Sequence, residues 1–98
     1  MNSYYLIFEV DPQFDNPMIA HVSRAVAHIW VMAADIGAAR DIAHCFLKDE
    51  RWELSEEKEA YLITPEKIDG MGDEDLSSYQ TAQQEGIKTK FYYWHRSE

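Results

Sequence analysis

Four histidines (His21, His28, His44 and His95) and one cysteine (Cys45) are the side chains of this 98-residue sequence that first invite a test for chemistry. A transition-metal site needs ligands converging within about 2 to 2.3 Å of one ion. No H-x-H, H-x-x-x-H or C-x-x-C spacing is present to bring two ligands onto one face. His44 belongs to the solvent side of a helix, His28 to a sheet face and His95 to the opposite parity at a strand end, so the rings diverge. Asp11, Asp15 and His21 make the nearest approach to a ligand set, and it is a poor one. The expectation is no metal and no cofactor. Cys45 follows His44 directly, but consecutive helical residues point about 100° apart, which denies the thiol its base. Asp41, one turn earlier, would raise the thiol pKa and lower its reactivity. Asp69, Asp73, Glu74 and Asp75 lack the alternating ligands and closing Glu of a calcium loop, and helix capping and solvation account for them. Gly70 and Gly72 do not follow the phosphate-loop patterns. His28 keeps some interest, because it shares a sheet face with Trp30 near Arg24 and Glu9, where a carboxylate could tune it as an acid or base.

Composition bounds what those side chains can serve. The sequence fits one domain, residues 1–98. Its 46% apolar and 13% aromatic content supplies a core and argues against disorder. The formal charge is −9. From Asp49 to Asp75 there are eleven acidic residues and three basic ones (Arg51, Lys58, Lys67), whereas the other 71 residues carry seven acidic and six basic. That field repels nucleic-acid phosphate and anionic lipid, and it can steer a basic protein partner. No apolar stretch approaches the roughly 18 to 20 residues needed to span a bilayer. The apolar Ser3 to Val10 has no basic run before it, and Glu9, Asp11 and Pro12 end it too early for an export signal. A lone Cys45 rules out an internal disulfide and suits a reducing compartment. The expected location is cytoplasmic, with no nucleic acid and no membrane as partner.

The elements that must position these residues follow from periodicity. Ser3 to Val10 alternates as a strand and ends at Asp11-Pro12. An irregular loop to about His21 contains Asn16-Pro17. Arg24 to Ala33 is a second strand. Asp35 is a natural N-cap for a helix running to about Asp49, with Ile36, Ala39, Ile42, Ala43, Phe46 and Leu47 as its apolar stripe. Trp52 to Thr64 is extended, as one strand or as a hairpin about Ser55-Glu56-Glu57. Thr64-Pro65-Glu66 suits a helical first turn, and the Asp69 to Asp73 run is a loop. A second helix, capped by Asp73 or Asp75, faces inward with Leu76, Tyr79 and Ala82 and ends at Gly86. Ile87 to His95 is the last strand. The order β-β-α-β-α-β, or β-βαββαβ with the hairpin, resembles a ferredoxin-like fold in topology alone. The expected class is α+β: a two-layer sandwich with a mainly antiparallel sheet of four to five strands. Right-handed crossovers would set both helices on one face.

Strand parity then sorts the residues into two sets. Leu6, Phe8, Ile29, Val31, Ala60, Leu62 and Phe91 belong under the helices. The other face, which should meet water, reads Tyr5, Ile7, Trp30, Met32, Tyr61, Ile63, Tyr92 and Trp94, with Arg24, His28, Glu9, Glu59 and Lys90 around them. Exposed apolar patches of more than a few hundred Å² mark contact surfaces. A second copy of the chain, the loop Asp11 to His21 with Phe14, Met18 and Ile19, or a ligand must cover it. The aromatic face is similar to RNA-binding sheets, but the net charge weighs against that use. The leading expectation is a homodimeric binding or interaction module joined through this face. One alternative is a small enzyme with an inter-sheet cavity lined by His28, Tyr61 and Tyr92. Another is an acidic inhibitor or immunity-type protein presenting Glu53, Glu56, Glu57, Asp73, Glu74 and Asp75 to a basic partner.

Overall fold

The computed structural model describes residues 1–96. Its elements are β1 (Asn2–Pro12), β2 (Val22–Ala33), α1 (Ile36–Asp49), β3 (Trp52–Leu62), α2 (Pro65–Asp69), α3 (Asp73–Glu85) and β4 (Ile87–His95). The four strands form one antiparallel sheet in the order β3-β1-β2-β4. The class is α+β, with three helices where two were expected, because the chain takes one short helical turn sequence at Pro65 before α3. Thr64 caps that turn by accepting from the Lys67 N–H, and Pro65 sits where its missing donor costs nothing.

The first core lies between the sheet and α1. Leu6, Phe8 and Val10 of β1, with Ala27, Ile29 and Val31 of β2, pack against Ala39, Ala43 and Leu47 of α1. Each large side chain buried here contributes about 1.5 to 3 kcal/mol. Asp35 starts α1 by accepting from the Ala38 N–H at 2.8 Å. The β2–α1–β3 connection is a crossover between parallel strands, since β2 and β3 each run antiparallel to the β1 between them.

The second helix does not join α1 on that face. Ala82 of α3 clusters with Trp30 and Ile63, and Tyr5, Ile68, Met71 and Tyr79 pack around them. Tyr5 and Trp30 have the opposite parity to Leu6 and Ile29, so α2 and α3 cover the other side of the sheet. The handedness rule that predicts two helices on one face applies only to parallel strands. β3 and β4 run antiparallel at opposite edges of the sheet, so that rule leaves α3 free to seek the apolar rings. The sheet thus carries helices on both sides.

Other expectations change with it. Residues 52–62 form one strand, not a hairpin, and its pairing with β1 shifts register between Ile7 and Phe8 and again between Glu9 and Val10. The loop between β1 and β2 does not cross the aromatic face. Asn16 is buried at the turn between α1 and β3, where its Nδ2 donates to the Arg51 carbonyl at 2.9 Å and its Oδ1 accepts from the Met18 N–H at 2.8 Å. Phe14 is left 89% exposed. Leu62, expected in the core, is 44% exposed at the end of edge strand β3. Gly72, rather than Asp73 or Asp75, is the N-cap of α3, and the three acidic residues Asp73, Glu74 and Asp75 fill its first turn, where they favour the helix dipole.

Candidate functional site: an aromatic cleft under α2 and α3

Strand register lays the second face out in rows. Tyr61, Tyr5, Trp30 and Lys88 stand abreast across β3, β1, β2 and β4; Glu59, Ile7, His28 and Lys90 form the next row. Then come Glu56, Glu9, Val26 and Tyr92, and after them Arg24 beside Trp94. Helix α3 packs on β2 and β4 over the first row. The Glu74–Lys90 ion pair ties its first turn to the second row. Beyond that pair the face is open: Tyr92 and Trp94 are 53% and 50% exposed, whereas Trp30 is 3% exposed.

Between the first row and the α2–α3 segment lies a cleft of about 230 Å³. Tyr5, Trp30 and Tyr61 supply its rings, and Lys67, Gly70, Met71 and Asp75 complete the lining. Tyr5 stands at the centre, its ring centroid 4.9 Å from Trp30 at 43° and 5.4 Å from Tyr61 at 61°. Tilted and edge-on contacts of this kind suit the quadrupoles of the rings. The Lys67 ammonium lies over the Tyr61 face, 4.1 Å from its centroid. Alternation along β1 and β3 aims Tyr5 and Tyr61 the same way, and the Pro65 turn brings Lys67 back over them.

The Tyr5 hydroxyl is hydrogen-bonded to His28 Nδ1. Burial first, and then the nearby Tyr61, Asp75 and Glu59, push the Tyr5 phenol well above its usual range. Burial also lowers His28, outweighing the attraction of Asp75 and Glu59. The two directions agree on one arrangement. The neutral phenol donates to Nδ1 of a neutral imidazole, which then carries its proton on Nε2. Such a pair holds geometry and offers a donor at Nε2. It does not supply a phenolate. The Tyr61 phenol is raised as well, again by burial first and then by Glu59 and Asp75.

The remaining candidates fall elsewhere. Ile63 is buried beside Trp30 and Ala82, and Met32 receives the Ser3 hydroxyl at 2.9 Å. His28 does not line the cleft; it meets Tyr92 edge-on at 5.0 Å. The acidic residues divide between two elements: Glu53, Glu56 and Glu57 lie on edge strand β3, and Asp73, Glu74 and Asp75 on the first turn of α3. Cys45 and His44 are exposed on α1. Among the described residues no group of three or more His, Cys, Asp or Glu could hold a metal ion, and no helix is long and apolar enough to cross a membrane. Lys67, Gly70 and Met71 were not foreseen as site residues. The Asp69 to Asp73 loop lies between the end of β3 and the start of α3, on the segment that returns to β4 over the aromatic face. Comparison with protein-family models, curated proteins and solved structures finds no match.

Proposed function

We propose that this chain is a homodimeric binding module. The half of the aromatic face beneath α2 and α3 takes a small ligand in the cleft, and the half left open associates with a second copy. One observation carries the association: Tyr92 and Trp94 stand half-exposed on the same face of β4, flanked by charges of both signs. Large amphipathic rings of this kind dominate the centres of protein interfaces. Arg24 reaches Asp11 at 2.9 Å and Glu9 at 3.8 Å, and Lys90 pairs with Glu74. A patch carrying both signs can face itself across a two-fold axis with unlike charges opposed, even where the whole chain is acidic.

Light scattering at micromolar concentration tests this. Twice the mass of one chain is expected for the wild type, and Trp94→Glu or Tyr92→Glu should give a folded single chain with an unchanged far-ultraviolet dichroism spectrum. Both positions are half-exposed, so the substitutions burden the interface rather than the core. A wild-type mass of one chain removes the reading.

A second reading draws on β3. Glu53, Glu56 and Glu57 are exposed along an edge strand with no further strand beside it, a place where an extended basic segment of another protein could pair. Retention of basic proteins on the immobilised chain, lost on adding salt, is its signature.

A further inference from the structure

One ring of the cleft, that of Tyr61, already carries a positive charge against its face. Lys67 Nζ lies 4.1 Å from the Tyr61 centroid, inside the roughly 6 Å over which a ring quadrupole attracts a cation. Among the described residues, Lys67 belongs to none of the ion pairs, although its segment is rich in carboxylates. It is an exposed side chain on a five-residue helix, carried on a flexible stem. The aromatic walls are fixed by contrast: Trp30 is buried, and Tyr5 is locked to His28 and wedged between Trp30 and Tyr61. Asp75 supplies a carboxylate to the lining, and Glu59 stands two residues before Tyr61 on the same face of β3.

We propose that this cleft binds a small organic ammonium ion, with Tyr5, Trp30 and Tyr61 as its cage, Asp75 as its counter-charge and Lys67 as the resident cation it displaces. Three rings and a carboxylate are the elements by which quaternary ammonium groups are recognised in water. An anion has Lys67 alone to attract it, against three ring faces and the Asp75 carboxylate. The volume, about 230 Å³, falls below the roughly 300 to 1,000 Å³ of sites for drug-sized ligands and so fits a compact head group. Displacement costs little, because the ammonium of Lys67 returns to water as the ligand leaves it. The proposal rests on the reading that the cleft binds a ligand and is independent of dimerisation.

Choline and its neutral isostere 3,3-dimethylbutan-1-ol, which share shape but not charge, separate the possibilities. Titration is followed by the indole N–H resonance of Trp30 in nitrogen-15-labelled protein. Choline is expected to shift that resonance saturably, with the isostere about tenfold weaker or more, as loss of a desolvated cation–π contact implies. Lys67→Met should tighten choline binding by about threefold or more, and Asp75→Asn should weaken it by a similar factor, since both remove a charge at the cleft mouth. These two positions are exposed, so folding is preserved. Equal binding of the isostere overturns the ammonium assignment while leaving a ligand cleft. No response of Trp30 to either compound, or no gain in Lys67→Met, overturns the proposal outright. A light-scattering mass of one chain would remove the dimer without touching it.

Discussion

At the scale of single residues, the two sides of the sheet treat polar atoms differently, and each makes a prediction. On the α1 side, Thr89 Oγ1 is buried without a hydrogen-bond partner among the described residues. A buried hydroxyl with no partner costs its desolvation, on the order of 1 to 3 kcal/mol. Valine keeps the shape and the β-branch. Thr89→Val should therefore raise stability by about 1 kcal/mol in urea unfolding, and a loss of stability would show that the hydroxyl is satisfied in solution. On the cleft side Tyr5 and His28 pair with each other, and the cost appears in protonation instead. Burial holds His28 below its ordinary value of 6.5, so the folded chain binds fewer protons at this site than the unfolded chain once pH drops below that value. Stability must then fall as pH falls through 6.5, down to the lowered folded value. Protonation at Nδ1 would also leave it unable to accept from Tyr5. His28→Gln should flatten this part of the urea-midpoint profile between about pH 8 and pH 5, even though carboxylates titrate lower down. A profile parallel to that of the wild type would place His28 in an environment as wet as the unfolded chain.

At the scale of elements, legibility depended on whether local chemistry or global path decided the outcome. The α1 boundary was readable because Asp35 is a short-range device: a side-chain oxygen meeting the Ala38 N–H one turn on. The end of α3 was readable for the same reason. Gly86 has φ 94° and its N–H donates to the Ala82 carbonyl, a left-handed cap that disfavours any residue with a Cβ. A Cβ built there meets nothing within 4 Å, so the penalty is purely backbone. Gly86→Ala should cost about 1 to 2 kcal/mol, and Gly86→Asn should recover part of it, because asparagine tolerates that region. An unchanged denaturation midpoint for the alanine variant would mean that α3 can end elsewhere. Two features were not readable from local pattern. The bulges of β3 move Glu57 onto the α1 side, where Arg40 grips it with bonds of 2.8 and 3.2 Å. Two shifts cancel, so Trp52 returns to a core parity that a simple alternation count would also give. The face chosen by α3 was hidden for a different reason. Its small residues Ser78 and Ala82 are buried and Ala82 packs with Trp30, but nothing within α3 states which side of the sheet the chain will take after β3. The aromatic cleft was therefore visible only as a set of rings needing cover. Its cover, from the chain's own residues 65–82, was missing from the three occupants considered.

At the scale of the whole molecule, the charge distribution decides how association should respond to salt. The two edges of the sheet are unlike: β3 carries Glu53, Glu56, Glu57 and Glu59 against Lys58, while β4 carries Lys88 and Lys90 with no carboxylate. Summed over the chain the charge is −9, so two copies repel at distances where the local pairs at Arg24 and Lys90 are no longer resolved. That repulsion is long-ranged at about 0.01 M ionic strength, where the screening length is roughly 30 Å, and is nearly gone at 0.15 M, where it is about 8 Å. The contacts at the centre of the open face are rings, which salt does not screen. Dimerisation should consequently strengthen by about threefold or more between those two ionic strengths, measured as the dissociation constant by sedimentation equilibrium. A basic partner docked on the β3 edge would behave in the opposite sense, because its attraction is itself the long-range term and weakens with screening. The sign of the salt dependence thus separates self-association through Tyr92 and Trp94 from capture of a basic chain by the acidic edge. Trp94→Glu sharpens the comparison: it adds a charge to the open face and leaves β3 untouched, so it should abolish the salt-strengthened dimer while sparing any salt-weakened complex. A wild-type dimer that loosens as salt is added would mean that its interface is built on ion pairs rather than on the exposed rings of β4.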